Sequence, residues 1–323
     1  MQNIIKKALV IGLNDYPDGN GLNFCSNDAN DISSLLSSNG DGTGNFHVRK
    51  IIDNCHANDM LEAIRELFND DADVALLYYS GHGENLLGGM LVGTDLQYVS
   101  MLEIINLANT SRCKNKIIIL DCCYSANLGQ DIMSKQVAVL GNGVTIMTAS
   151  QHWQPSIESY KLQHGLFTNL LIQGLKGRAA DLGGNITPAS LYAFIDQSLG
   201  GWDPRPVFKT NSSQFLPLRI INPKVPRIVL HKITEFFPSE ESLFQLDPSF
   251  EFTNKLDVNH EVIEPYANEI NVDRFKTLQK YESIGLVEPV DEEHMYFAAM
   301  HSKACRLTEL GKHFWELAKD NKI

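Results

Sequence analysis

The sequence predicts a three-layer α/β sandwich around a mostly parallel sheet, followed by a small α+β module. Residues 74–79 (Val-Ala-Leu-Leu-Tyr-Tyr) and 116–121 (Lys-Ile-Ile-Ile-Leu-Asp) are short, largely apolar runs without alternation, the pattern of strands covered on both faces. Residues 222–227, Asn-Pro-Lys-Val-Pro-Arg, set two prolines in a short stretch after which the pattern changes. A chain of 323 residues that is 43% hydrophobic can bury a large core and leave about a hundred residues for a second domain. The expected division is 1–224 and 225–323.

Residues 144–149 read as the next strand after 116–121, and Gly165 opens an amphipathic helix over 166–176 that Gly177 ends. Residues 215–221 read as the last strand of the first domain. Beyond the prolines, apolar positions at helical spacing over 272–283 stop at Gly285. Residues 286–287 and 295–300 are expected to pair as a hairpin across the acidic tip Asp291-Glu292-Glu293, before a final helix over 307–319.

The chemistry sits where the two apolar strands end. Tyr79-Ser80-Gly81-His82-Gly83 brings a histidine, and Leu120-Asp121-Cys122-Cys123-Tyr124-Ser125-Ala126 brings two cysteines. Parallel strands present their carboxyl ends on one edge of the sheet, where reacting groups of open α/β folds gather, so a thiol and an imidazole distant in sequence can meet there. Gly81 and Gly83 leave the backbone beside His82 uncrowded, and the amides of Gly83 and Cys123 are candidates for an oxyanion hole. Successive residues at a strand end point to opposite faces, so only one of the two thiols can face His82.

These motifs resemble the caspase and metacaspase group of cysteine peptidases over residues 5–221. Residues 7–16 (Lys-Ala-Leu-Val-Ile-Gly-Leu-Asn-Asp-Tyr) resemble that group's first strand and loop, and 22–32 the opening of its first helix. The caspase signature Gln-Ala-Cys-(Arg/Gln/Gly)-Gly is absent. Residues 121–126 instead resemble the metacaspase form Asp-x-Cys-x-Ser-Gly, with Ala126 in place of the last glycine. The resemblance implies a caspase-like fold, Cys123 as nucleophile and His82 as its base, with Cys122 a buried, inert neighbour. It also implies a pocket for the side chain before the scissile bond built from Cys25, Asp28, Ser80 and Asp121, whose carboxylates suit Arg or Lys. Residues 148–155 and 164–177 resemble the group's second half, where Ser150 and Trp153 would border the substrate groove and His164 reads as a helix-start residue rather than a ligand.

Lys135 is the one lysine or arginine between Lys116 and Lys161, and members of the family it resembles are commonly cut in the region after the catalytic cysteine, which makes it a candidate self-processing site. The six cysteines lack zinc-ligand spacing and fit a reducing compartment. No run of 18 apolar residues occurs, and the first residues do not read as a secretion signal, so a cytoplasmic protein without a membrane partner is expected. No cofactor is called for. Calcium governs many metacaspases, but no aspartate cluster for it is legible, and Asp70, Asp71 and Asp73 read as a solvated turn.

The C-terminal order of helix, hairpin and Leu307-Thr-Glu-Leu-Gly311 is similar to a winged-helix domain. Residues 225–323 carry 11 Lys and Arg against 18 Asp and Glu, and only Arg274, Lys276 and Lys280 cluster on the candidate recognition helix. That balance favours a protein partner over DNA. The resulting expectation is an endopeptidase that cleaves after Arg or Lys and is recruited or regulated through residues 225–323. Two other readings fit the same residues: a caspase-shaped interaction scaffold with a misaligned dyad, and a regulator that binds DNA through the winged helix.

Overall fold

The computed structural model describes residues 4–84, 86, 88–122, 139–149, 158–159, 163–201, 203, 205–256 and 262–323. The chain forms two compact units, Met1–Asn222 and Pro223–Ile323.

In the first unit the elements run β1 (Lys6–Gly12), α1 (Cys25–Ser37), β2 (His47–Ile52), α2 (Ala57–Asn69), β3 (Val74–Ser80), β4 (Gly83–Glu84), β5 (Met90–Val92), β6 (Tyr98–Ser100) and α3 (Met101–Thr110). They continue with β7 (Asn115–Asp121), β8 (Val144–Thr148), β9 (Glu158–Ser159), β10 (His164–Gly165), α4 (Leu166–Gln173), β11 (Asn185–Ile186), α5 (Pro188–Ser198), β12 (Val207–Asn211) and β13 (Arg219–Ile220). The central sheet has the order β12-β8-β7-β3-β1-β2 and is parallel except for the antiparallel edge strand β12.

Alternate residues of the same strands feed two separate cores, which is why the runs read as apolar throughout. Leu9, Ile11, Leu77, Tyr79, Ile118 and Leu120 pack with α2 and α3. Ala8, Val10, Leu76, Tyr78, Ile117 and Ile119 pack with α1, α4 and α5 on the opposite face. The result is the expected three-layer sandwich.

Two expectations need correction in this unit. Residues 215–221 are not a strand of the main sheet: only Arg219–Ile220 is extended into a ladder, and it pairs with β11. Pro217 offers no amide and cannot carry a ladder through 215–218, so β12 takes the edge instead. The helix that opens after Gly165 runs regularly to Gln173 and then widens into a π-helical turn, Gly174–Arg178, in which Gly177 takes φ 128°.

The second unit contains α6 (Arg227–His231), α7 (Ile233–Phe236), β14 (Phe244–Gln245), a single 3-10 turn Pro248–Phe250, α8 (Glu269–Ser283), β15 (Val287–Pro289), α9 (Met295–Met300), β16 (Ala304–Leu307) and α10 (Glu309–Lys319). Its three strands form an antiparallel sheet in the order β14-β16-β15. Residues 295–300, expected as a strand, are helical. Met295, Ala298 and Ala299 are buried at the i, i+3, i+4 spacing of a helix, and β15 pairs with Ala304–Leu307 instead. Leu307 accordingly ends a strand, and the last helix starts after Thr308, whose Oγ1 accepts from the Gly311 amide at 3.0 Å. Asn268 caps α8, accepting from the Ile270 and Asn271 amides, and Gly285 follows it with φ 75°. The core is aromatic: Phe244, Phe250 and Phe275 meet edge to face, and Trp315 Nε1 donates to the Phe237 carbonyl at 2.7 Å.

Candidate active site

Strands β3 and β7 end in register, Ser80 opposite Asp121, and β1 ends beside them with Gly12 opposite Ser80. His82 follows two residues after Ser80, and Cys122 directly follows Asp121. The parallel pairing therefore brings the histidine segment and the cysteine segment to one sheet edge, where the ends of two parallel strands were expected to meet. Cys122 is buried in the core formed with α2 and α3. Cys123 and Lys135, together with Ser150 and Trp153, lie outside the described residues. Gly83 opens β4 and stands opposite Leu91.

The backbone of His82 is gripped by two tyrosine hydroxyls. Its amide donates to Tyr16 Oη at 3.0 Å, and its carbonyl lies 2.8 Å from Tyr79 Oη, which also reaches the Val92 carbonyl at 2.9 Å. The hydroxyls themselves are 3.2 Å apart. Burial pushes both phenols above their ordinary range, so they act as neutral hydrogen-bonding groups. Gly81 must be a glycine for this arrangement, because a Cβ there would stand 2.5 Å from Tyr79 Oη and 2.7 Å from Tyr16 Oη.

The imidazole is oriented from a third direction. Its Nε2 lies 2.6 Å from the Asn20 carbonyl oxygen, and the Tyr16 ring meets it edge-on at 4.5 Å. A carbonyl only accepts, so Nε2 carries a proton, and in the neutral ring the lone pair is then on Nδ1, the tautomer needed to take a proton from a thiol. The loop that carries Asn20 is pinned by Asn14 and Asp53. Asn14 Oδ1 accepts from the Cys25 amide at 2.9 Å, and the Asn14 amide donates to Asp53 Oδ1, which also accepts from Ser26 Oγ.

The four residues of the expected pocket converge. Cys25, Asp28, Ser80 and Asp121 are all buried. Ser80 Oγ donates to Asp28 Oδ2 at 3.1 Å, and Gly12 packs its backbone directly on the Cys25 carbonyl, where a Cβ would be only 2.2 Å away. Thr168 Oγ1 donates to Asp121 Oδ2 at 2.7 Å and lies 2.6 Å from Tyr78 Oη. Burial raises the Tyr78 hydroxyl well above its usual range, with the nearby Asp28 and Asp121 carboxylates adding to the rise. Both acids thus share one desolvated neighbourhood.

His164 departs from its expected role. It lies in the short ladder of β9 and β10, ahead of the helix, and its Nδ1 donates to Asp28 Oδ1 at 2.7 Å. Tyr16, Asn14, Asn20, Asp53, His164 and Thr168 are the parts of the site that sequence reasoning missed. Only the tyrosine and the asparagine of Leu13-Asn14-Asp15-Tyr16 carried a signal, as polar residues directly after an apolar strand.

Among the described residues no group of three or more His, Cys, Asp or Glu is arranged to hold a metal ion. Asp70 pairs with Lys7 and Asp73 with Lys114, each at 2.7 Å. Among the same residues no helix is long and apolar enough to cross a membrane.

A mostly parallel six-stranded sheet between two helical layers, with a histidine segment and a cysteine segment at its carboxyl edge, defines the architecture of a caspase-like peptidase. A family model for the caspase domain matches residues 5–210, and the chain belongs to this family of cysteine peptidases. No curated protein matches the chain.

Proposed function

We propose that the protein is a cysteine endopeptidase that cleaves after Arg or Lys, with Cys123 as nucleophile and His82 as its base. The observation that carries the reading is the register of Ser80 with Asp121, which sets Asp28, Ser80 and Asp121 together one step from the histidine segment. In this reading His82 Nδ1 takes the thiol proton, and the Cys123 thiolate attacks the scissile carbonyl carbon. The amides of Gly83 and Cys123 hold the resulting oxyanion, and the imidazolium returns its proton to the departing amine. Water then releases the acyl group by the reverse sequence. Cys25, Asp28, Ser80 and Asp121 form the substrate pocket, whose carboxylates attract a guanidinium or ammonium and repel an aspartate.

The second unit is proposed to be a winged-helix-like module that binds a protein partner and recruits or restrains the peptidase. Its strand order, with the last strand between the first two, supports the winged-helix reading. The charge on α8 supports a protein over DNA: Arg274 stacks over Phe236 and Phe244, and Lys276 pairs with Asp273 at 3.1 Å, which leaves little basic surface for phosphates. Activation by a cut after Lys135 belongs to the same proposal, as does a cytoplasmic location without cofactor or calcium.

Hydrolysis of a peptide library that varies the residue before the cut tests the reading. Cleavage confined to Arg and Lys supports it, and efficient cleavage after Asp overturns the pocket. N-terminal sequencing of purified protein tests the processing step: a new terminus at Gln136 in the wild type and none in Cys123→Ala is the expected pair.

A further inference from the structure

The imidazole of His164 spans the distance between a buried and a surface carboxylate on successive turns of α1. Its Nδ1 is 2.7 Å from Asp28 Oδ1 and its Nε2 is 3.5 Å from Asp31 Oδ2. Asp28 keeps 3% of its side-chain surface, His164 16% and Asp31 51%, so the ring is the step between the pocket floor and the surface. The next residue bears on the other pocket acid: a Cβ at Gly165 would stand 2.7 Å from Asp121 Oδ2. The dipeptide of β10 therefore addresses both carboxylates at once.

We propose that His164 is a positioning residue that sets the specificity of this pocket: as a neutral donor it fixes the Asp28 carboxylate for a substrate cation, and as an imidazolium it takes that cation's place. The inference rests on the reading of Cys25, Asp28, Ser80 and Asp121 as the substrate pocket. A carboxylate this deeply buried needs donors when no substrate is present, and the bonds from His164 Nδ1 and Ser80 Oγ occupy one oxygen each. A carboxylate oxygen can accept more than one hydrogen bond, so a guanidinium or ammonium can approach the same carboxylate without displacing a neutral histidine. A protonated histidine brings a full positive charge to the same carboxylate and cancels the attraction.

The charged groups around the ring allow both states. Burial holds the imidazole below its ordinary value, Asp31 acts against that shift, and Lys176, from the π-helical turn after α4, adds to it. Asp28 and Asp31 face the ring from α1, Asp121 lies beside Gly165 on β7, and Glu158 of β9 is opposite Gly165 in the ladder. The neutral form thus holds near neutrality, and acidification charges a ring that already touches an acid at each nitrogen.

Binding of benzamidine, a cation that fills such a pocket without reacting, tests this by calorimetry on the full chain. Wild type is expected to lose about tenfold in affinity between about pH 7.5 and about pH 5, the range in which a histidine changes charge. His164→Asn places an amide donor near the position of Nδ1 and has nothing to titrate, so it should bind like wild type at the higher pH and lose no more than about twofold at the lower. His164→Ala should bind weakly at both, with a KM for arginyl peptides raised about tenfold and a much smaller change in kcat. Equal pH dependence in wild type and His164→Asn, or wild-type binding by His164→Ala, overturns the inference and leaves the pocket standing. If His164→Ala does not fold, the comparison with His164→Asn decides alone. Absence of benzamidine binding to every variant including wild type, with cleavage after uncharged residues, removes the pocket reading and the inference with it.

Discussion

The Nε2 of His82 sits 2.6 Å from the carbonyl oxygen of Asn20, a backbone acceptor 62 residues earlier in the chain. This contact fixes which nitrogen is available as a base, because only a protonated Nε2 can face a carbonyl. Nitrogen-15 NMR of histidine-labelled protein near neutral pH should find His82 as the Nε2–H tautomer. The opposite tautomer, with Nδ1 protonated, contradicts the proposed proton transfer.

Tyr16 contributes its hydroxyl to the His82 amide and its ring edge to the imidazole. Tyr16→Phe keeps the ring and takes the partner from a half-buried amide, so unfolding in urea should show a loss of about 1 kcal/mol, the low end of the cost of an unsatisfied donor. The same variant should turn over substrate more slowly, since the histidine loses one of its anchors. A variant with unchanged stability and turnover speaks against the tyrosine clamp.

Asp121 holds its place through Thr168, and its charge can be removed with little change in shape. Asp121→Asn should lower kcat/KM for arginyl peptides by the equivalent of about 1–3 kcal/mol, the range for a hydrogen bond to a charged group. Cleavage after an uncharged residue should fall much less. Equal losses on both kinds of peptide place the aspartate outside the specificity pocket.

The legible parts of the site were those written in contiguous sequence. Two unalternating apolar runs led to parallel strands with their carboxyl ends at one edge, and the register of the pair then sets Ser80 opposite Asp121, with His82 and Cys122 just beyond. The glycine before the histidine was legible too, and its reason is the pair of tyrosine hydroxyls that would meet a Cβ. What stayed hidden depends on contacts with no local pattern. His164 and Asp28 are 136 residues apart, and neither periodicity nor spacing announces that one will meet the other. Asn20 acts through its carbonyl, which every residue possesses, so its side chain gives no clue. In the second unit, residues 295–300 misled because a six-residue apolar run is compatible with either period, and the burial of Met295, Ala298 and Ala299 decides for the helix.

Removal of residues 223–323 should leave a folded caspase-like unit, since among the described residues the two hydrophobic cores of the first unit are built from residues before 222. A single cooperative thermal transition of the truncated protein is the expected result. Aggregation of a truncation that is otherwise intact indicates that the first unit depends on the second.

In the proposed reaction the thiol of Cys123, assisted by His82, attacks a peptide bond that follows a basic residue. Treatment with an arginyl chloromethyl ketone peptide, followed by mass spectrometry of the tryptic fragments, reads this directly. One adduct is expected on Cys123 in wild type and in Cys122→Ala, and none in Cys123→Ala or in folded His82→Ala. An adduct on Cys122, or no adduct on folded wild-type protein, rules out this assignment of the nucleophile and its base.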